Sequence, residues 1–432
     1  LIPWIESVGP VIKVLLVFSL VVVLIRASVQ VGVALMVGGA FLGVLFGMNA
    51  LTILKSALYG VLASRALILA LIVSLILILS SSMERFGMME ELLGRLRSAI
   101  GVSRWGLVSF PAIIGLLPMP GGAVFSAPML QGFDCDGKIS PALKSYLNYW
   151  FRHVWEYWWP LYPGVLLACA VAGVDLWRFI AFSSPLTLIA IGVGTIQLMR
   201  VPRRAHAAVP AAVNAYSRPA WMSALPLLMA IFPGVASGVL LQLAGRGGIL
   251  EAVPKEFGLL LGLAGAVVCS WIMGSAGLRE ILGIVFDKKV GRMLLTLSGV
   301  FVFKAVMERS PAAEELASSL GDMNIPVLWV SVILPMLVGA ISGLTIAFVG
   351  ASFPVLFSLI GATGGNPSIL PILVLAYASG FAGVMATPLH LCLILSNEYF
   401  KVPLGRVYRY LAPSVGLMLV GILLYFWVLT IL

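Results

Sequence analysis

Residues 105–130 read WGLVSFPAIIGLLPMPGGAVFSAPML, an apolar run long enough to cross a bilayer but interrupted by Pro118-Met119-Pro120-Gly121-Gly122. Proline has no backbone N–H to give a helix and glycine weakens one, so neither arm continues through that pentapeptide. Each arm then falls short of the ~20 apolar residues that a spanning helix needs. The run reads as a re-entrant hairpin. A second run, 326–358, is interrupted in the same way by Gly339-Ala340-Ile341-Ser342-Gly343. These two interruptions set the reading of everything around them.

The surrounding chain is 432 residues long, 61% hydrophobic and 10% charged. Its mean hydropathy is +1.09. Soluble domains are about a quarter charged, so a water-soluble enzyme is excluded. The fold class is an all-α polytopic membrane protein. A formal charge of +10 arises from 27 Lys+Arg against 17 Asp+Glu. Because the charges lie between apolar runs, they report topology and affinity for anionic lipid, not nucleic acid. Cys135, Cys169, Cys269 and Cys392 show no CxxC or His-paired spacing. No structural metal or cofactor is expected, and the three cysteines inside apolar runs read as small core residues. The first run lacks a basic n-region and a second follows at once, so it is expected to be a retained helix, not a signal peptide.

The apolar runs fall at about 11–26, 29–48, 66–82, 105–130, 142–171, 178–199, 222–243, 257–274, 293–307, 326–358, 369–395 and 411–432. Glu84–Arg104 has apolar residues at helical spacing with charges on one side and reads as an interfacial amphipathic helix, with Leu51–Leu62 a weaker one. Residues 201–220, rich in Pro, Ala and Arg, form a linker between two halves, 1–200 and 221–432. The halves repeat. Met83-Glu84-Arg85 recurs as Met307-Glu308-Arg309, and Trp105, Pro111 and Gly115 match Trp329, Pro335 and Gly339, all at an offset of 224. At 226, Ser126-x-Pro128-x-Leu130 matches Ser352-x-Pro354-x-Leu356; at 228, Tyr149, Pro160-Leu161, Arg178 and Pro185 match Tyr377, Pro388-Leu389, Arg406 and Pro413.

With each hairpin re-entrant, five crossings remain per half. Five is odd, so the second half enters from the opposite face, as an inverted repeat of the kind recurrent in secondary transporters. Eighteen basic residues then collect on one face against six (Lys13, Lys55, Arg65, Arg246, Lys255 and Arg309) on the other. This positive-inside bias puts both termini outside the cytoplasm. Counting the hairpins as crossings would scramble the segregation.

Irregular backbone at membrane depth is tolerated where it lines a polar cavity. The tips are therefore candidate sites: Gly121, Gly122 and Ser126 in the first hairpin, Ser342, Gly343, Thr345 and Ser352 in the second. The runs at 142–171 and 369–395 have breaks of their own, at Pro160 and Pro163 and at Thr387-Pro388. Asn148-Tyr149-Trp150-Phe151-Arg152-His153-Val154-Trp155-Glu156 precedes the first break. Charged residues at depth usually face a cavity. Arg152 is suited to a carboxylate or phosphate, and Glu156 or His153 to proton exchange. Arg152 and Glu156, four apart, are expected to pair on a helix. The plainer alternative is a satisfied pair near the cytoplasmic interface, with Trp150, Trp155, Trp158 and Trp159 as an aromatic belt. His390, two residues after Pro388 and aligned with Tyr162, is either a ligand group or a hydrogen-bonded core residue. Lys304 and Glu308 are expected to snorkel and pair at the end of their helix.

The order of elements, together with Leu117-Pro118-Met119-Pro120-Gly121-Gly122-Ala123, resembles the ion-transporter superfamily. That group includes divalent-anion:sodium symporters, gluconate permeases and arsenite permeases, and the resemblance points to its ten-span branch of unknown function. Neither tip carries the Ser-Asn-Thr signature of the dicarboxylate carriers. The resemblance implies a homodimer with an elevator-like transport domain, and a site lined by Pro120, Gly121, Gly122, Ala123, Ser126, Ser342, Gly343, Thr345, Ser352, Thr387 and His390. Asn148, Arg152, His153 and Glu156 join them from the residues alone. No P-loop, Rossmann fingerprint, HExxH or GxSxG is present. The sequence thus predicts a secondary active transporter, not an enzyme, in a prokaryotic cytoplasmic (inner) membrane. It would move a small anionic solute by symport with Na+ or H+. The alternatives are an intramembrane enzyme acting on a lipid-linked substrate and a passive anion channel.

Overall fold

The computed structural model describes residues 9–92, 103–117, 122–132, 134, 137–202, 220–243, 256–362 and 368–431. Among them are twenty α-helices and no strand. The first half contributes α1 (Pro10–Arg26), α2 (Val31–Leu45), α3 (Ala50–Leu62), α4 (Ser64–Arg85), α5 (Arg104–Ile114), α6 (Ala123–Gly132), α7 (Pro141–Arg152), α8 (Pro163–Ala172), α9 (Leu176–Ser183) and α10 (Pro185–Leu198). The second contributes α11 (Ala220–Leu243), α12 (Phe257–Met273), α13 (Leu278–Val285), α14 (Lys288–Arg309), α15 (Ala312–Asp322), α16 (Val327–Ser342), α17 (Thr345–Ala362), α18 (Ile369–Ala386), α19 (Leu391–Tyr399) and α20 (Leu404–Ile431). Helix starts follow local chemistry. Asn49, Ser103, Ser140, Asp175 and Asp287 each accept a hydrogen bond from a first-turn N–H, and Pro141, Pro163 and Pro185 occupy first-turn positions where no N–H is needed.

Every apolar run coincides with a helix or a broken pair. The first hairpin is α5 and α6, of 11 and 10 residues. The second is α16 and α17, turned at Gly343, whose φ of +67° is the left-handed conformation that glycine adopts without strain. One expectation needs correction: α17, with 18 residues, is long and apolar enough to cross on its own, so the shortness of both arms holds only for the first hairpin. Six described helical stretches meet that standard, or seven if the α15–α16 pair, bent by 115°, is one span. The amphipathic α15 matches, in the second half, the segment after Arg85. Of that segment residues 93–102 lie outside the described residues, as do 203–219 of the linker.

Contacts between the halves are reciprocal. α2 packs on α14 while its counterpart α12 packs on α4; α8 packs on α17 while α19 packs on α6. At the first of these crossings Gly32 and Gly299 bring two backbones together: a Cβ on Gly299 would stand 2.6 Å from the Gly32 Cα. Small residues at such a crossing are the usual means of tight helix association in bilayers. Gly299→Ala is therefore expected to lower the thermal midpoint in detergent by several degrees. Gly291→Ala, on the same helix with open space around it, should leave it unchanged or raise it slightly, since alanine is the better helix former by about 1 kcal/mol. Equal midpoints for the two variants would count against the close crossing.

Two of the basic residues counted in the charge segregation, Lys144 among the eighteen and Lys13 among the six, are buried. Lys144 bonds Asp134 Oδ2 at 2.9 Å and Gln131 Oε1 at 2.8 Å, and Lys13 lies over the Phe46 ring. They contribute packing and pairing, not surface charge. Lys304 and Glu308 pair as expected, at 3.6 Å.

Candidate functional site

The two broken helices meet at their breaks. α7 ends at Arg152, the chain runs through turns from His153 to Tyr162, and α8 resumes at Pro163. α18 ends at Ala386 and α19 resumes at Leu391. The tyrosines matched by the repeat reach across to the opposite break: Tyr149 Oη donates to Met385 O at 3.2 Å and Tyr377 Oη to Glu156 O at 3.0 Å. The aromatic cluster has a definite task. Trp155 Nε1 donates to Ala112 O, Trp159 Nε1 to Leu116 O and Tyr162 Oη to Gly115 O. These acceptors are carbonyls at the end of α5, which have no partner within their own helix and are expensive to leave bare in hydrocarbon. The indoles thus tie the first hairpin to the broken segment, and Trp150 and Trp158 serve similarly toward Ala190 O and Thr187 Oγ1.

Arg152 is 2% exposed at the centre of this junction. Its guanidinium lies against the start of α6: a Cβ on Gly122 would sit 2.9 Å from Nε and 3.0 Å from Cζ. Nη1 is 3.6 Å from Cys392 Sγ, in the first turn of α19. His153, 1% exposed, directs Nδ1 to Tyr149 O and places Nε2 3.7 Å from Glu156 Oε1. The His153 and His390 rings are 4.8 Å apart, edge to face. Asn148 Nδ2 bonds Ala123 O at 3.0 Å and Ser396 Oγ at 2.9 Å. Arg152 and Glu156 do not share a helix, because α7 ends at Arg152 and Glu156 lies in the turns beyond it. Their charges still interact across the break, and Glu156 also faces His153.

Helix N-termini converge here in two pairs. The starts of α6 and α19 flank Arg152, and those of α8 and α17 meet where a Cβ on Gly164 would stand 3.2 Å from Thr345 Cβ. Each N-terminus carries partial positive charge from unpaired N–H groups. A buried guanidinium beside two of them gives a local field suited to an anion. The repeat has diverged at this point. At the corresponding place in the second half, Phe348 covers Gly380, where the first half has Arg152 covering Gly122. One half keeps a cation; the other keeps an aromatic ring.

The remaining sequence candidates divide. Gly122, Ala123, Asn148, Arg152, His153, Glu156 and His390 come together around the first-half break. Ser342, Gly343 and Thr387 gather at the second, where a Cβ on Gly343 would face Thr387 Cγ2 at 3.3 Å and His390 N at 3.5 Å. Thr345 packs on Gly164. Ser126 and Ser352 turn their hydroxyls to their own helices, at Ala123 O and Phe348 O. Pro120 and Gly121 lie outside the described residues. Cys392, expected as a small core residue, instead joins the cluster around Arg152; its position two residues after His390, beyond a proline break, is the sequence signal for it.

Two cavities are related by the repeat. One of about 910 Å³ is lined by Leu166, Ala170, Gly173 and Leu176 with Arg65 and Arg178. The other, about 360 Å³, is lined by Ile394, Glu398, Lys401 and Leu404, each 228 positions after its counterpart.

The chain belongs to the DUF401 family, described as a protein of unknown function, which matches residues 11–429. No curated protein matches the sequence. Two solved structures of membrane proteins share the fold. The YdaH transporter of Alcanivorax borkumensis, described as having an unusual topology, is 16% identical with a TM-score of 0.59, over 85% of this chain and 87% of that one. MtrF of Neisseria gonorrhoeae, described within a class of antimetabolite efflux pumps, is 12% identical with a TM-score of 0.55, over 87% and 83%. At such identities the likeness is one of fold.

Proposed function

We propose that this chain is an elevator-type secondary active transporter of a small anionic solute, coupled to Na+ or H+, in which Arg152 binds the solute. The observation that carries this reading is the buried Arg152 guanidinium, set between the N-termini of α6 and α19 at the meeting of two helix breaks. A solute with a carboxylate or phosphate group would form charge-assisted bonds with the guanidinium and be favoured by the helix ends. The shared fold with a transporter and an efflux pump supports the same class. So does the inequality of the two repeat-related cavities: an inverted repeat that exchanges the conformations of its halves would open the smaller and close the larger, which is alternating access. Membership of the ion-transporter superfamily, a homodimer, an inner-membrane location and termini outside the cytoplasm belong to this reading. His153 and Glu156 are the groups placed for proton coupling.

The test begins with thermal stabilisation of the purified protein across small anionic metabolites, with and without Na+. Counterflow in proteoliposomes then uses the anion that stabilises most. Labelled anion is expected to accumulate transiently against an internal unlabelled pool. Product formation without flux would establish the enzyme instead, and flux with conductance but no counterflow would establish the channel.

A further inference from the structure

We propose that His153, His390 and Cys392 form a binding site for a divalent transition-metal ion of the zinc type. His390 and Cys392 sit two residues apart in the second half and His153 comes from the first, yet a ring nitrogen of each histidine and Cys392 Sγ all lie within 4.8 Å of one another. A tetrahedral ion with Zn–N of about 2.0 Å and Zn–S of about 2.3 Å needs its donors ~3.5 Å apart, so small ring rotations close the set. The His153 tautomer is already set for it. His153 gives its Nδ1–H to Tyr149 O, which leaves the Nε2 lone pair facing the cluster, where it has no hydrogen-bond partner among the described residues. His390 Nδ1 is likewise without a partner among the described residues. Metal-ligating histidines characteristically donate their other ring N–H to a carbonyl, as His153 does. Two imidazoles and a thiolate are a donor set that selects zinc-like ions over Na+, Mg2+ or Ca2+, which prefer oxygen.

The neighbours fit as well. Glu156 Oε1, 3.7 Å from His153 Nε2, is placed to balance the charge of an ion there. Arg152 holds Cys392 through Nη1; on metal binding the thiol proton leaves and the ion takes the sulfur. One approach is evident, since Pro388, two residues from His390, lines the 360 Å³ cavity. The site shares residues with the proposed solute site but does not depend on solute transport.

Co2+ added to the purified full-length protein tests this, with Zn2+ in equilibrium dialysis as a second probe. One equivalent of Co2+ is expected to bind with a thiolate-to-cobalt charge-transfer band. Cys392→Ser should abolish the band, and His153→Gln should weaken Zn2+ binding by at least the roughly 10–100-fold that loss of a residue merely supporting a ligand costs. Cys269→Ser should change neither. Absence of the band in the wild-type protein would overturn the proposal without recourse to any variant, as would a band that survives in Cys392→Ser. Anion counterflow measured in a chelator keeps the two readings apart: flux without metal binding leaves transport standing alone, and metal binding without flux does the reverse.

Discussion

Arg152→Gln is expected to remove anion-dependent thermal stabilisation and also to lower the thermal midpoint of the unliganded protein, whereas Arg152→Gln with Glu156→Gln should restore the midpoint alone. Both charges lie in one buried cluster, Arg152 2% and Glu156 6% exposed. Removing one member of such a set leaves the other without compensation in a poorly solvated place, at about 3–5 kcal/mol. Neutralising both removes that penalty. Binding follows a different rule. A charge-assisted contact is worth about 1.5–3 kcal/mol, so loss of the guanidinium should weaken the anion by roughly 10–150-fold whether or not Glu156 is present. The two readouts therefore separate in the double variant: near-normal stability, no anion shift. An Arg152→Gln protein that still shows the full anion-dependent shift would exclude Arg152 from the solute site. Recovery of both properties in the double variant would make the cluster purely structural.

Much of this site was legible because proline and glycine act locally. The interruption after Leu117, the break at Thr387-Pro388 and the isolation of Arg152 in an apolar run are statements about single residues, and the structure places Arg152 and His390 in one cluster. The first break is longer than any local rule implies. The sequence puts it at Pro160 and Pro163, and α8 does resume at Pro163, yet α7 already ends at Arg152; in between, Trp155, Trp159 and Tyr162 donate to carbonyls at the end of α5 some forty residues earlier. Cys392 offered only its place near His390 as a signal, because its partners, Arg152 and His153, come from the other half. The repeat itself gives no warning that Arg152 over Gly122 becomes Phe348 over Gly380. Matching positions show where the halves correspond, while the asymmetry that makes a site arises where they fail to.

That asymmetry constrains motion as well as chemistry. If the hairpins and broken helices carry the solute past a scaffold of α1–α4 and α11–α14, then α17 must slide on α14, which it contacts directly. The crossing offers a lock. A Cβ on Gly350 of α17 would stand 3.6 Å from Val300 Cβ of α14, within the ~3.5–4.5 Å that a disulfide requires. Gly350→Cys with Val300→Cys should cross-link on mild oxidation and reduce counterflow to the background of empty liposomes, with recovery on reduction. A Cβ on Gly350 alone would crowd Val300 Cγ2 at 2.5 Å and Leu35 Cδ1 at 3.1 Å, whereas Val300→Cys removes that methyl, so the reduced double variant is the packing control and should keep most of its flux. Anion-dependent stabilisation should survive in the oxidised double variant, because the lock lies away from Arg152 and fixes one state without occupying the site. Binding retained with flux lost is the outcome specific to a moving α17. Undiminished flux in a fully cross-linked protein would mean that α17 and α14 travel together, and the moving boundary would have to lie elsewhere in the fold.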